Sequence, residues 1–299
     1  MVNLQSERLK GVFALFGAAL IYASFGLLIR TMEKMYGDYS QVAIRFALAF
    51  VVIYFLNKFR RGTQLAQLDR ASKLKSLILG LTFGAVVLFF TLSVTNTKIA
   101  NTVFVFYGTS MISSLLIGTF ALKEKLSVQK VIALVVAFVG LVMYSNAILT
   151  LSFGIITGVI AGFFDGISNA IRKTLQGIDR RSILQFQFFG SALLASIAMF
   201  FSSEPLIKNV SLLPVLVTVV FALLQIKLGD WLLYGFQRFD VNTGTIILAT
   251  ELLFASLVGL LFFRETLSQK ELLGGILIFA ASITSAIEFK SRKLMPKTV

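Results

Sequence analysis

The sequence predicts an all-α membrane protein, ten transmembrane helices arranged as two inverted five-helix repeats around a central cavity. Three observations predict it. Of the 299 residues 57% are hydrophobic and only 14% are charged, with a mean hydropathy of +0.87. A soluble domain is about 45–50% apolar and about 25% charged, so this chain has too little polar surface to cover itself in water. Apolar runs of about 20 residues, the length that crosses the hydrocarbon core, recur along the whole chain. Finally, the pentapeptide KEKLS at 123–127 returns as RETLS at 264–268, 141 positions later and again after a long apolar run.

The runs lie at 11–29, 39–57, 76–95, 100–122, 128–147, 153–172, 182–201, 211–235, 243–263 and 271–289. The first contains Ala19-Leu20-Ile21-Tyr22-Ala23, whose small residues resemble a signal-peptide cleavage site. Its apolar stretch is too long for that and further runs follow, so it reads as a retained helix. Alternating strands of about ten residues, the mark of a membrane barrel, are absent. Gly and Ser recur inside the runs, where small side chains let helices approach closely. The loop at 58–75 is short, and no soluble domain is expected.

The basic residues then set the orientation. With the N-terminus inside, 20 of the 28 Lys and Arg fall on one face of the membrane and six on the other, with Arg45 and Lys227 inside runs. This asymmetry predicts that both termini are cytoplasmic. The net charge of +14 is spread over loops on that face rather than gathered in a basic domain, so nucleic acid is not expected as a partner. There is no Cys and no His. Disulfides, thiolate chemistry, Cys- or His-based zinc sites and the usual general base are excluded, and neither a metal nor a cofactor is expected.

Shifting the second half back by 141 aligns more than the pentapeptide. Asn101-Thr102 meets Asn242-Thr243, Thr109 meets Thr250, and Lys123-Glu124 meets Arg264-Glu265. At nearly the same offset Arg30-Thr31 meets Lys173-Thr174, and Ser40, Arg45 and Phe46 meet Ser182, Gln187 and Phe188. The expected units are 5–148 and 149–290, followed by a basic cytoplasmic tail at 291–299. An odd number of spans per unit turns the second copy upside down. Inverted repeats of this kind are a recurring plan of secondary transporters, with the solute site where the halves meet near the midplane.

The stretches FTLSVTNTKIANTVFVFYGTSMISSLLIGTFALKEKLS (90–127) and LYGFQRFDVNTGTIILATELLFASLVGLLFFRETLS (233–268) resemble the paired EamA domains of the drug/metabolite transporter superfamily. The resemblance covers about 5–290. It implies a basket of ten helices around a central cavity, lined by helices 1–4 and 6–9, with helices 5 and 10 peripheral. It also implies export or exchange of small metabolites. One departure is the absence of the proline that often follows the mid-helix polar residues of helices 4 and 9: Met111 follows Thr109-Ser110, and Leu252 follows Glu251.

Charged residues inside apolar runs are costly, at roughly 2.5–3.5 kcal/mol each, and so face a cavity or a partner. Asp165 lies near the middle of the sixth run, with Ser168, Asn169 and Arg172 on the same helical face. It reads as a substrate or proton carboxylate, or else as an interhelical staple with Arg172 merely at the cytoplasmic end. Glu251 is central in the ninth run, and the resemblance gives it a role at the cavity. Lys227 and Asp230, three apart, can form an internal pair that substrate opens, with the sole tryptophan, Trp231, near the same cavity or at the interface. Arg45 either snorkels outward, binds a substrate carboxylate, or neutralises Glu251 or Asp165. Tyr22 and Tyr107 are further cavity candidates. Glu124 and Glu265, at helix ends, read as loop-ordering residues.

The reading is a multi-pass carrier in the plasma (inner) membrane, monomer or homodimer, exporting or exchanging a small polar metabolite such as an amino acid, with proton coupling open. A flippase for a lipid-linked substrate is the nearest alternative, with a channel behind it. An intramembrane aspartyl protease wants Tyr-Asp and Gly-x-Gly-Asp; Phe164-Asp165 and Lys227-Leu228-Gly229-Asp230 match neither. The phosphate-binding loop of ATP-driven machines is absent. Membrane lipids and a small-molecule substrate are the expected partners.

Overall fold

The computed structural model describes residues 2–59, 68–144, 151–255, 257 and 268–287. Among them the only β-pairing is an isolated bridge between Tyr36 and Ile207. The helices are α1 (Val2–Tyr22), α2 (Phe25–Glu33), α3 (Asp38–Lys58), α4 (Arg70–Asn96), α5 (Ile99–Leu116), α6 (Val128–Tyr144), α7 (Phe153–Thr174), α8 (Arg180–Phe201), α9 (Leu212–Phe236), α10 (Val241–Leu248) and α11 (Gln269–Ala286). A π-helical turn, Ile117–Ala121, prolongs α5. After Leu248 a two-residue turn intervenes, and helix resumes from Glu251 to Ala255. Among the described residues seven helical stretches are long and apolar enough to cross a membrane, with α1 and α2 counted as one; Val128–Tyr144 and Val241–Ala255 are shorter apolar helices. Glu265, Arg264 and the tail at 291–299 lie outside the described residues.

Among the described residues the apolar runs coincide with these helices except where two of them break. The first run breaks at Ala23–Ser24 and the ninth at Ala249–Thr250, with neither Gly nor Pro at either place. Both breaks share one chemistry. Ser24 donates its N–H (3.1 Å) and its hydroxyl (2.7 Å) to the Ile21 carbonyl, and Thr250 donates the same two groups to Ile247 (3.1 and 2.6 Å). A hydroxyl closing on a nearby carbonyl competes with the helical ladder, and here it tightens the turn from four residues to three.

The repeated pentapeptide also finds a local cause. Its last residue caps the next helix in both copies: Ser127 Oγ accepts from the Lys130 N–H at 3.3 Å, and Ser268 Oγ accepts from the Glu271 N–H at 3.2 Å. In the second copy Glu271 returns the bond to the Ser268 N–H at 2.8 Å, completing a capping box. Asp69, Ser152 and Asp179 cap α4, α7 and α8 in the same way.

Contacts between the halves recur with the halves exchanged. The packing of α4 on α7 is matched by α9 on α1, α4 on α8 by α9 on α3, and α5 on α7 by α10 on α1. The pairs α3–α8 and α6–α11 map onto themselves, as a twofold between the halves requires. Glycines allow the closest of these contacts. A Cβ at Gly274 would lie 2.5 Å from the Gly140 carbonyl oxygen across α6–α11, and one at Gly80 would lie 2.4 Å from the Gln187 carbonyl oxygen across α4–α8. The bundle has one basic end, where Glu7 meets Arg238 (2.6 Å) and Arg180 meets Asp230 (2.6 Å). At the opposite end the Lys208 N–H donates to the Met35 carbonyl (2.7 Å) and the Tyr39 N–H to Glu204 (3.2 Å).

Candidate functional site

Both broken helices carry a candidate residue at the break. Tyr22 is the last residue of α1, and Glu251 is the first after the turn that ends α10. Glu251 is 5% exposed and accepts a hydrogen bond from the Tyr107 hydroxyl on α5. It also lines a small cavity of about 20 Å³ together with Arg45, Tyr22, Phe25, Phe90 and Phe106. That is room for one water, so the seam is nearly closed at this point.

Arg45, on α3, does not snorkel to the surface. It is fully buried, its Nη2 donates to Thr91 Oγ1 at 2.8 Å, and its guanidinium lies 4.3 Å over the Phe221 ring. Its Nε and Nη1 have no hydrogen-bond partner among the described residues. The run of apolar neighbours around position 45 holds the stem, so the charged head is trapped inside. A buried cation with donors to spare is costly unless an anion meets it. Gln41, one turn away on the same face, is also buried with both amide atoms unpaired, as are Gln187 and Gln225.

Asp165 forms a second polar line. Its Oδ2 accepts from Ser110 Oγ (2.6 Å) and Asn169 Nδ2 (2.9 Å), and Arg172 donates to Asn169 Oδ1. Arg172 is fully buried and lies 4.8 Å over the Phe83 ring, so it is an interior residue of the line rather than a cap at the helix end. Ser168 belongs to the same stripe but turns to Thr82 (3.0 Å). The α7 stripe thus holds one hydrogen-bonded line, Ser110–Asp165–Asn169–Arg172, with Ser110 tying it to the helix that also carries Tyr107.

The pair expected between Lys227 and Asp230 is not what forms. Asp230 accepts from Arg180 Nε at 2.6 Å, and the Lys227 ammonium lies 4.7 Å over the Trp231 ring. Lys227 is exposed on the outer wall of α9. Asp230 and Trp231 line a lateral groove at the basic end, with Lys10 and Phe13 of α1. These three residues therefore stand apart from the seam that holds Asp165 and Glu251. A spacing of three allows a pair within one helix; it does not forbid a better partner on another.

Sequence reasoning missed a network at the basic end. Lys173 bridges Glu124 (2.6 Å) and Asp240 (3.1 Å), Lys130 also pairs with Asp240, and Glu124 accepts from the Val241 N–H at 3.1 Å. Glu124 therefore joins the end of α5 to the start of α10, across the two halves, rather than ordering only its own loop. Burial works to raise the Asp240 pKa, but the bonds from Lys130 and Lys173 overcome it and hold the carboxylate below its ordinary value. The signal was present in the alignment of Arg30 with Lys173 and in the doubled Glu, but one sequence does not show which loop the Glu reaches.

Comparisons agree with this architecture. The chain matches the EamA-like transporter family over residues 9–146 and 152–287. A protein of Archaeoglobus fulgidus described as an uncharacterized transporter is 29% identical over 160 residues, 52% of this chain and 56% of that protein. The match thus spans little more than half the length of that relative. A protein solved by crystallography superposes with a TM-score of 0.74 over 92% of this chain and 96% of its own, at 15% identity, a likeness of fold alone. With the duplicated match covering nearly every residue that folds into the bundle, this multi-pass membrane protein belongs to the EamA-like transporter family.

Proposed function

We propose that the chain is a secondary active carrier that moves a small polar metabolite, such as an amino acid, by alternating access at the seam between its halves. The observation that carries this reading is that one small cavity at the seam has residues of opposite chemistry in its lining: Arg45, which has unused donors, and Glu251, which is held by Tyr107. A carboxylate on the solute suits Arg45, and an ammonium or a proton suits Glu251. The aromatic walls between them suit the body of the solute. The helix breaks beside Tyr22 and Glu251 give the seam hinges, since each leaves a short helix end free to tilt without unwinding the rest.

Rocking of the halves then needs each end of the bundle to open in turn. The Lys173–Glu124–Asp240 network closes the basic end, which we assign to the cytoplasm from the distribution of Lys and Arg. The membrane is taken to be the plasma membrane, with both termini inside. The test is uptake of radiolabelled amino acids into proteoliposomes, after a thermal-shift screen of amino acids, nucleosides, polyamines and sugar phosphates. Variants Asp165→Asn and Glu251→Gln should fold and lose transport. Full transport by both would sink the reading. Uptake with and without a pH gradient then separates a proton-coupled carrier from an exchanger.

A further inference from the structure

Away from the seam, a groove of about 360 Å³ runs between α1, α8 and α9 at the basic end. Its floor is Trp231, which fits because α1 has Gly17 there: a Cβ at that position would lie 2.4 Å from the indole. One wall is apolar and faces outward, with Phe13 66% exposed. The other is polar, formed by Lys10, Arg180 and Asp230 with Tyr234 between them. The charged groups facing it come from every element around it. Glu7 accepts from Tyr234 (3.0 Å) and pairs with Lys10 (2.9 Å) and Arg238 (2.6 Å); Asp230 pairs with Arg180 (2.6 Å). Lys227 extends over the indole. At the basic end Lys10, Arg180 and Arg238 thus stand against Glu7 and Asp230, leaving net positive charge at the lip of an apolar slot.

We propose that this groove is a binding site for an anionic phospholipid, its phosphate against Lys10 and Arg180 and its acyl chain along Phe13 and Ala14. Three features argue for a lipid rather than a soluble anion. The chain spans a bilayer, so an outward-facing slot meets acyl chains. The cations in its lining, Lys10 and Arg180, stand at the basic end of the slot where headgroups lie, which is the arrangement by which basic pockets between helices hold anionic headgroups. A tryptophan at the boundary between an apolar and a charged zone matches the interfacial position such side chains take. Lys10 also has a stem long enough to lie along the slot while its ammonium group reaches the phosphate. The site is independent of which solute the seam carries.

Trp231 is the only tryptophan, so its fluorescence reports on this groove alone. The experiment reconstitutes the full chain in phosphatidylcholine vesicles and titrates brominated phosphatidylglycerol or brominated phosphatidylcholine, reading quenching. A single nearby cation strengthens anionic-lipid binding by about fivefold. The anionic lipid should therefore quench at several-fold lower mole fraction than the neutral one, and Lys10→Gln should remove most of that preference. Lys75→Gln, at the same end but outside the groove, should leave it intact. Glu251→Gln should also leave it intact, which separates failure here from failure of the carrier reading. Lys10 is 60% exposed in its side chain, so its loss spares the fold; Arg180→Gln adds a second variant. Equal quenching by the two lipids would overturn the proposal, as would an equal loss in Lys75→Gln. Glycerol phosphate in solution that displaced the lipid fully would mean a phosphate site only, and would overturn it too.

Discussion

The Tyr107 hydroxyl donates to Glu251 from one half of the chain to the other, and no other hydrogen bond to that carboxylate forms among the described residues. One hydroxyl therefore sets the orientation of a buried acid. Tyr107→Phe removes the donor and leaves the ring in place. A hydrogen bond to a charged group is worth about 1.5–3 kcal/mol, so initial uptake rates in proteoliposomes should fall by about 10- to 100-fold with the variant still monodisperse. An unchanged rate would mean that Glu251 plays no part in the cycle.

Arg45 gives a prediction about the solute itself. Arg45→Lys keeps the charge but loses the planar fork that pairs with a carboxylate. KM for a carboxylate-bearing solute should rise at least about tenfold, as expected for loss of one charge-assisted bond. Transport of the amide analogue of that solute, which lacks the carboxylate, should be nearly indifferent to the change. Equal effects on both would show that Arg45 holds the fold rather than the solute.

The basic-end network can be opened from one residue. Lys173→Ala unties Glu124 from Asp240, since Lys173 is the group that touches both. The chain has no cysteine, so a single Thr245→Cys, buried behind the network, is its only thiol. Its labelling by a membrane-impermeant maleimide should rise several-fold in the Lys173→Ala background. A constant rate would remove this network from the closing of that end.

Acid should undo the same network. The folded Asp240 carboxylate sits below its ordinary pKa, so its contribution is present above the unfolded value of about 3.9 and is lost as pH falls through the lower folded value. The thermal stability gap between the parent and Asp240→Asn should be full at pH 6 and shrink on acidification below about pH 4. A gap that did not change over that range would contradict the assignment.

Much of the bundle was legible because lipid imposes long apolar runs. Asp165 and Glu251 stood out for the same reason, as charges inside those runs. What stayed hidden depended on choices between helices. Asp230 took Arg180 over Lys227, Arg172 folded inward onto Phe83, and Glu124 crossed to α10. Each is a competition among partners distant in sequence, and periodicity carries no term for it. The breaks at Ser24 and Thr250 were hidden differently. They arise from hydroxyls that are common within membrane helices and bend only some of them. The lateral groove needed the one place where Gly17 on α1 faces Trp231 on α9.

The π-helical turn at Ile117–Ala121 stores one residue more than ordinary winding would. It lies just before Glu124, whose N–H donates back to the Gly118 carbonyl at 2.9 Å. Rewinding that coil to α geometry would rotate everything after it by about 100°. Glu124 could not then keep hold of both Val241 and Lys173. Coil and clasp thus count as a single mechanical variable: the surplus residue is the slack that lets the strap reach its buckle.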